Sequence, residues 1–368
     1  MLEKYAHLLV HYCLELKADE RLFIQTTTLA EPLVREIYRV ALRAGASVDV
    51  DFMFREKNHI FANEAHLESQ FRHVSPLYDK AMREYDAYLY IRAPFNLRED
   101  ANNPSHEFSK FRAESFAPLS KIYSKRTAKR NEKGGMRRSL CQFPTDASAQ
   151  VAEMSYSEYE KFVFNACKLY DENPMESWLA LRKSQQHITD FLNKSKKIRY
   201  VGENIDISFS CDKRKWINSD GTTNMPSGEI YTAPVENSVN GTVKFSFPSI
   251  YDGQEVENVT LWVKNGYVER WEATRGKDFL DKIFAKSGAR RFGEAAIGTN
   301  YDIKQMTKNI LFDEKIGGTI HLAIGQSYLQ CGGKNQSSVH WDMITDMKNG
   351  GQIFADGEKI YENGYFII

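Results

Sequence analysis

The strongest constraint on this 368-residue chain is a change of hydrophobic period near residue 195. Before that point, stretches with apolar residues at helical spacing alternate with short apolar runs. Leu2, Tyr5, Leu9, Tyr12 and Leu16 mark one helical stripe. Leu33, Val34, Ile37, Tyr38 and Ala41 mark another, which Gly45 can stop in the left-handed conformation. Residues 22–27 (LFIQTT) and 87–91 (AYLYI) read as strands, and Val48, Val50, Phe52 and Phe54 alternate as a third. Strands separated by helices need crossover connections, which imply a parallel sheet. Ser155 and Glu158 form an S-x-x-E capping box opening a further helix, and helical signal continues past Trp178 to about Leu192.

From Ile198 the helical period fades, and β-branched and aromatic runs replace it. Asn265-Gly266 between VTLWV and YVERWEA is the signature of a type I′ hairpin, and Asp356-Gly357 between QIFA and EKIYE repeats it. Residues 242–247 alternate as another strand, and one short helix over about residues 278–286 interrupts the region. Two domains are therefore expected. Residues 1–195 form an α/β domain with a mainly parallel sheet, and residues 196–368 a β-rich α+β domain.

Charge and composition remove several function classes. Lys+Arg and Asp+Glu are equal at 49 each, so no overall basic field exists to hold nucleic acid. The basic run from Lys121 to Arg138 has no aromatic platform beyond Tyr123 and reads as a solvated helix face followed by a Gly134-Gly135 turn. No apolar stretch approaches the roughly 18 residues a membrane helix needs, and residues 1–4 do not resemble a secretory signal. Five widely spaced cysteines without a CxxC fit neither a disulfide framework nor a zinc-thiolate site, and a reducing, cytoplasmic setting is expected. Walker, dinucleotide-binding, nucleophile-elbow and H-E-x-x-H signatures are missing.

What remains is a set of acidic and imidazole residues at turn–strand junctions of the second domain. His340 and Asp342 stand two apart in SSVHWDMI, so on a strand they share a face. His321 lies in GGTIHLAIG with Glu314 upstream in FDEKIGG, Glu294 ends RFGE, and Glu229 ends NMPSGE. Mixed oxygen and nitrogen donors suit zinc and similar ions, and a set this large suits two metals sharing a ligand. The residues taken singly also allow blander readings: His340 and Asp342 as a hydrogen-bonded pair, Glu229 and Glu294 as turn carboxylates, Glu314 paired with Lys315.

The strings NMPSGEIYTAP, RFGEAAIGTN, ILFDEKIGGTIHLAIGQSY and SSVHWDMI, in that order, resemble the thermophilic aminopeptidase T family, the M29 metallopeptidases. The likeness is strong through the second domain and looser in the first, where FPTDASAQVAEMSYSEYEKFV carries it. The resemblance implies two divalent ions, zinc first, with cobalt, manganese or magnesium as alternatives. It implies Glu229, Glu294, Glu314, His321, His340 and Asp342 as ligands, with Glu294 shared. Glu314 stands farther from the following histidine than in some members, and the KIGGT segment is a variant loop. Glu294 or Glu314 would move the proton of a metal-activated water, and Tyr328 of GQSY would donate to the developing oxyanion. The implied substrates are peptides with a free N-terminus, and the implied assembly is a homodimer. A two-metal hydrolase of phosphoesters, for which Arg290 and Arg291 would supply cations, and a non-catalytic scaffold that kept the fold are the alternatives.

Overall fold

The computed structural model describes residues 1–97 and 106–368. It divides into two compact units, Met1–Met175 with Gly221–Pro226, and Glu176–Asp220 with Ser227–Ile368. Nearly all of the long helix Pro174–Leu192 is thus counted with the second unit. The sequence reading placed the boundary at the far end of this helix, where the helical period stops.

The first unit contains the parallel sheet that helix–strand alternation requires. Its five strands run in the order Ser47–Met53, Arg21–Thr27, Ala87–Arg92, Arg137–Gln142 and Asn224–Met225, each pair parallel. The two-residue last strand comes from a return of the chain after the helix, which no local pattern announces. Central strands carry the core through Leu22, Phe23, Ile24 and Leu89, all fully buried. Helix Glu31–Arg43 buries Leu33, Val34, Ile37, Val40 and Ala41. Tyr38, assigned to that stripe from its spacing, is instead 43% exposed. It is one residue from Ile37, hence rotated about 100° off the stripe, and Val40 takes its place. Gly45 does end the helix with φ +83°, and an added Cβ would stand 2.9 Å from that of Ala18, so conformation and space both demand glycine.

The basic run is more than a solvated face. The Arg126 guanidinium donates to the carbonyls of Met82, Tyr85, Gly134 and Gly135. Buried Arg137 bridges Glu20 at 2.5 Å and donates to the Glu15 carbonyl. These arginines fix loop ends by charge-assisted hydrogen bonds.

The second unit is built on two antiparallel sheets. One has eight strands, among them Lys197–Gly202, Ile205–Ser210, Asn240–Lys244, Thr260–Lys264 and Gln352–Ala355. The other has five, in the order His340–Asp346, Thr319–Gly325, Phe292–Gly298, Glu229–Thr232 and Ile217–Ser219. Tyr200, Ile207, Val243 and Leu261 from the first sheet and Ile230, Ile297, Leu322 and Met343 from the second belong to one buried cluster. That is the core of a sheet-on-sheet packing. Both expected type I′ turns are present, with positive φ at Asn265 and Gly266 and at Asp356 and Gly357.

The two hairpin glycines separate two costs. A Cβ on Gly266 would overlap the Glu236 carbonyl oxygen, whereas around Gly357 there is open space. Gly357→Ala is expected to lose only the left-handed penalty of about 1–2 kcal/mol. Gly266→Ala should lose clearly more, because backbone must move as well. Thermal melts of the two variants side by side check the order, and equal losses would contradict it.

Candidate metal centre

The five-stranded sheet has one face in the apolar core. Its opposite face carries the candidate ligands, and the register shows how. Residues paired across antiparallel strands point to the same side. Glu294 pairs with Ala323, which on its other side pairs with Asp342. His321 pairs with Ala296 and Ile344, Gly325 with His340, and Gly298 with Glu229. Since i and i+2 share a face, Glu229, Glu294, His321, His340 and Asp342 all project from one side. The positions between them, Ala296, Gly298, Ala323 and Gly325, are small, which leaves room for the longer side chains to converge.

Alternation alone would have sent Glu294 elsewhere. The pairing shifts register between Phe292 and Glu294, so Gly293 sits in a β-bulge that re-aims the carboxylate. A Cβ at Gly293 would run into the backbone carbonyl of Gln326. That carbonyl also accepts from Nδ1 of His340 at 2.8 Å, which directs Nε2 toward the carboxylates. At the other side, buried Gln185 of the long helix donates to the Glu229 carbonyl at 3.2 Å and accepts from the Thr299 hydroxyl at 2.8 Å.

All six candidate ligands come together. His340 Nε2 is 3.2 Å from Glu294 Oε2 and 3.6 Å from Asp342 Oδ2. His321 Nε2 is 3.5 Å from Glu229 Oε2 and 3.6 Å from Glu294 Oε1. Two groups could each hold a cation: Glu229, Glu314 and His321, and Glu294, His321 and Asp342, each with donor atoms within 4.8 Å of one another. Glu314 reaches the set from the turn after the short helix Ile310–Asp313, and pairs with the adjacent Lys315, as its local sequence allowed.

The donor atoms fit a divalent cation. Glu229 Oε2, Asp342 Oδ1, His340 Nε2 and both ring nitrogens of His321 are buried without a hydrogen-bond partner. Such orphans are costly in a folded protein unless something else satisfies them. The protonation pattern reports the same surplus of negative charge. Burial pushes Glu229 up to about 7 and Asp342 to about 6. Glu294 is pushed up by burial, but the two imidazoles beside it outweigh that and lower it to about 2. Burial opposes charge on His321 and His340, yet the surrounding carboxylates raise them to about 9 and about 10. Groups of this kind must release their protons to bind a metal ion.

Tyr328 lies at the open side of the centre, 37% exposed, its ring 4.9 Å from that of His340 and 5.3 Å from that of Tyr231. The charge of Glu294, with burial, drives its phenol well above the ordinary value, so it stays a donor. Sequence reasoning missed Tyr231, which shares the face of Glu229 two residues on, and the burial of Lys315, whose Nζ is 3.3 Å from Glu229 Oε1. It also missed Gln185 and Gln326, which position the centre through backbone carbonyls. Arg290 and Arg291, the cations invoked for a phosphoester substrate, are engaged elsewhere. Arg290 lies over Trp271 and donates to the Phe284 carbonyl, and Arg291 donates to the Glu236 carbonyl.

The bulge gives a direct test of this construction. Gly293→Ala should remain folded with a lowered melting temperature and bind divalent zinc about 10- to 100-fold more weakly, as loss of outer support for a ligand does. Calorimetric titration of the metal-stripped protein measures it, and unchanged affinity would remove the bulge from the argument.

Comparison with known proteins places the chain in a family and a fold. The family model described as thermophilic metalloprotease (M29) matches residues 1–366. The chain is 28% identical to aminopeptidase 2 of Geobacillus stearothermophilus over an alignment of 410 positions, gaps included, covering 99% of this chain and 97% of that protein. It is 28% identical to aminopeptidase AmpS of Bacillus subtilis over 60% of this chain and 61% of that protein. Among solved structures, AmpT from Thermus thermophilus superposes with a TM-score of 0.84 at 22% identity, covering 100% of this chain and 99% of that one. A 2,5-dihydroxypyridine dioxygenase from Pseudomonas putida KT2440 shares the fold at a TM-score of 0.59 and 11% identity, over 100% of this chain and 96% of its own. With its whole length matched and acidic and imidazole donors gathered on one sheet face, the chain belongs to the M29 family of thermophilic metalloproteases.

Proposed function

We propose that this protein is a metal-dependent aminopeptidase that hydrolyses the first peptide bond of substrates with a free N-terminus, using two divalent ions, zinc foremost. The observation that carries this reading is the convergence of Glu229, Glu294, Glu314, His321, His340 and Asp342 with several buried donor atoms unpaired. When bound, divalent ions at such a centre supply Lewis-acid activation of water and polarisation of the scissile carbonyl. Glu229 and Glu314 would hold one ion and His340 and Asp342 the other, with Glu294 and His321 within reach of both groups.

The chain's own groups then have separate tasks. Glu294 is held between two imidazoles and suits a shared ligand, with an oxygen directed to each histidine. Glu314 is less enclosed than Glu229 or Glu294 and is the better carrier of a proton from water to the leaving amine. The Tyr328 hydroxyl, kept protonated, donates to the oxygen that gains charge. The carboxylate surplus favours a substrate that brings its own positive charge, the terminal ammonium. A homodimer in the cytoplasm completes the proposal; among the described residues no helix is long and apolar enough to cross a membrane.

Cleavage of a leucine chromogenic amide tests the reading. A chelator should abolish turnover, zinc or cobalt should restore it, and the N-acetylated amide should be inert. His340→Ala and Asp342→Ala should each lose at least about 100-fold in kcat/KM while keeping the far-ultraviolet spectrum of the parent. Full activity in both variants, or hydrolysis of a phosphoester with no peptidase activity, would refute the assignment.

A further inference from the structure

We infer that Lys315 makes the two cation positions unequal, so that a divalent ion loads tightly beside Glu294, His340 and Asp342 and only weakly beside Glu229 and Glu314. The inference rests on the metallopeptidase reading above and deepens it.

The side chain of Lys315 has no solvent exposure. Its Nζ is 3.3 Å from Glu229 Oε1 and in contact with Glu314 Oε1. A buried ammonium is tolerated only when paired, and here both partners are members of the same candidate cation group. The turn that delivers it is pinned by hydrogen bonds on both sides. Lys315 N–H donates to the Phe312 carbonyl, its own carbonyl accepts from Asn300, and Asp313 accepts from the backbone and hydroxyl of Thr307.

The two sides of the centre therefore differ in the cation that neighbours their carboxylates, an imidazole on one and a lysine on the other. Glu294 and Asp342 present two carboxylates beside the ring nitrogen of His340, itself a possible ligand, with no lysine or arginine paired to them among the described residues. Glu229 and Glu314 also present two carboxylates, but share one ammonium. The position is weakened rather than blocked. Glu229 turns one oxygen to Lys315 and leaves Oε2 unpaired, 3.5 Å from His321 Nε2. A dication entering there meets a fixed like charge at close range, with little water between them to screen it. Lys315 thus acts through the two glutamates, as a positioning residue that orients them and grades their affinity.

Zinc counting on the metal-stripped, full-length protein tests this without reference to turnover. After reloading with excess zinc and gel filtration the wild type should keep one zinc per chain, and titration against a chromophoric chelator should show a second site weaker by about 100-fold or more. Lys315→Met, neutral and of similar length, should bring the second site close to the first, and Lys315→Arg should keep the gap. Equal zinc sites in the wild type, or an unchanged gap in folded Lys315→Met, would overturn the inference while leaving the peptidase reading intact. Should Lys315→Met fail to fold, Lys315→Gln takes its place. If neither folds, a gap in both wild type and Lys315→Arg supports the inference, and equal sites in either overturn it. Failure to bind any divalent ion, zinc, cobalt, manganese or magnesium, would overturn both readings together.

Discussion

Negative charge held away from water is the constraint on which the second unit is organised. Glu229, Glu294 and Asp342 are each at least nine-tenths buried, Glu314 stands beside them, and Lys315 is the one ammonium in contact with the group. Each buried ion carries a desolvation penalty of roughly several kcal/mol unless it is paired with good geometry. Pairing is incomplete here, since donor atoms on Glu229, Asp342, His321 and His340 lack hydrogen-bond partners. Protons on the imidazoles and on some carboxylates relieve part of the penalty, and divalent ions relieve it better. Metal loading and folding of this unit are consequently linked through one equilibrium.

That cost is borne by a scaffold with little freedom. The strands Phe292–Gly298 and Thr319–Gly325 are buried on both faces, and their polar residues are confined to one of them. Isoleucine, leucine and methionine on the other face seal the core. Alanine and glycine beside the ligands prevent steric competition, and a single bulge at Gly293 sets the aim of Glu294. Carbonyl groups near the ligands are recruited by Gln185 and by His340 itself. Supports of this type fix the orientation of a ligand more firmly than the ligand's own rotamer preference does.

The fold does not by itself determine the chemistry. The architecture shared with Thermus thermophilus AmpT is shared, more distantly, with a protein named as a dioxygenase. What separates such proteins is the set of side chains on the sheet face and the charge they enclose. In this chain that face carries carboxylates beyond those one small ion needs, and a buried lysine that offsets part of them. The functional reading therefore stands on named residues and their distances.

Much of this was legible in the residues. Alternating helix and strand periods implied the parallel sheet, and Asn-Gly and Asp-Gly pairs marked two hairpins whose positive φ values the structure bears out. Two further pairs of the same chemistry, Asp252-Gly253 and Asn363-Gly364, also form tight turns. They escaped notice because each has at least one flanking strand of only two or three residues, too short to display a period. The acidic and imidazole residues stood out because each closes or opens a strand-like run beside a glycine-rich turn. Lys315 did not stand out, because a lysine beside a glutamate is ordinarily a surface ion pair, and burial cannot be read from adjacency.

By itself the sequence determined which elements form and which groups can bind a cation, because period, turn chemistry and donor type are local properties. Only the tertiary structure decided that Glu229, Glu294, His321, His340 and Asp342 share one face, that Gly293 bulges, and that the Lys315 ammonium lies inside the charge cluster. Strand order and register depend on pairings between segments far apart in the chain. The energy of a buried charge depends on everything packed around it, and neither quantity exists until the chain has folded.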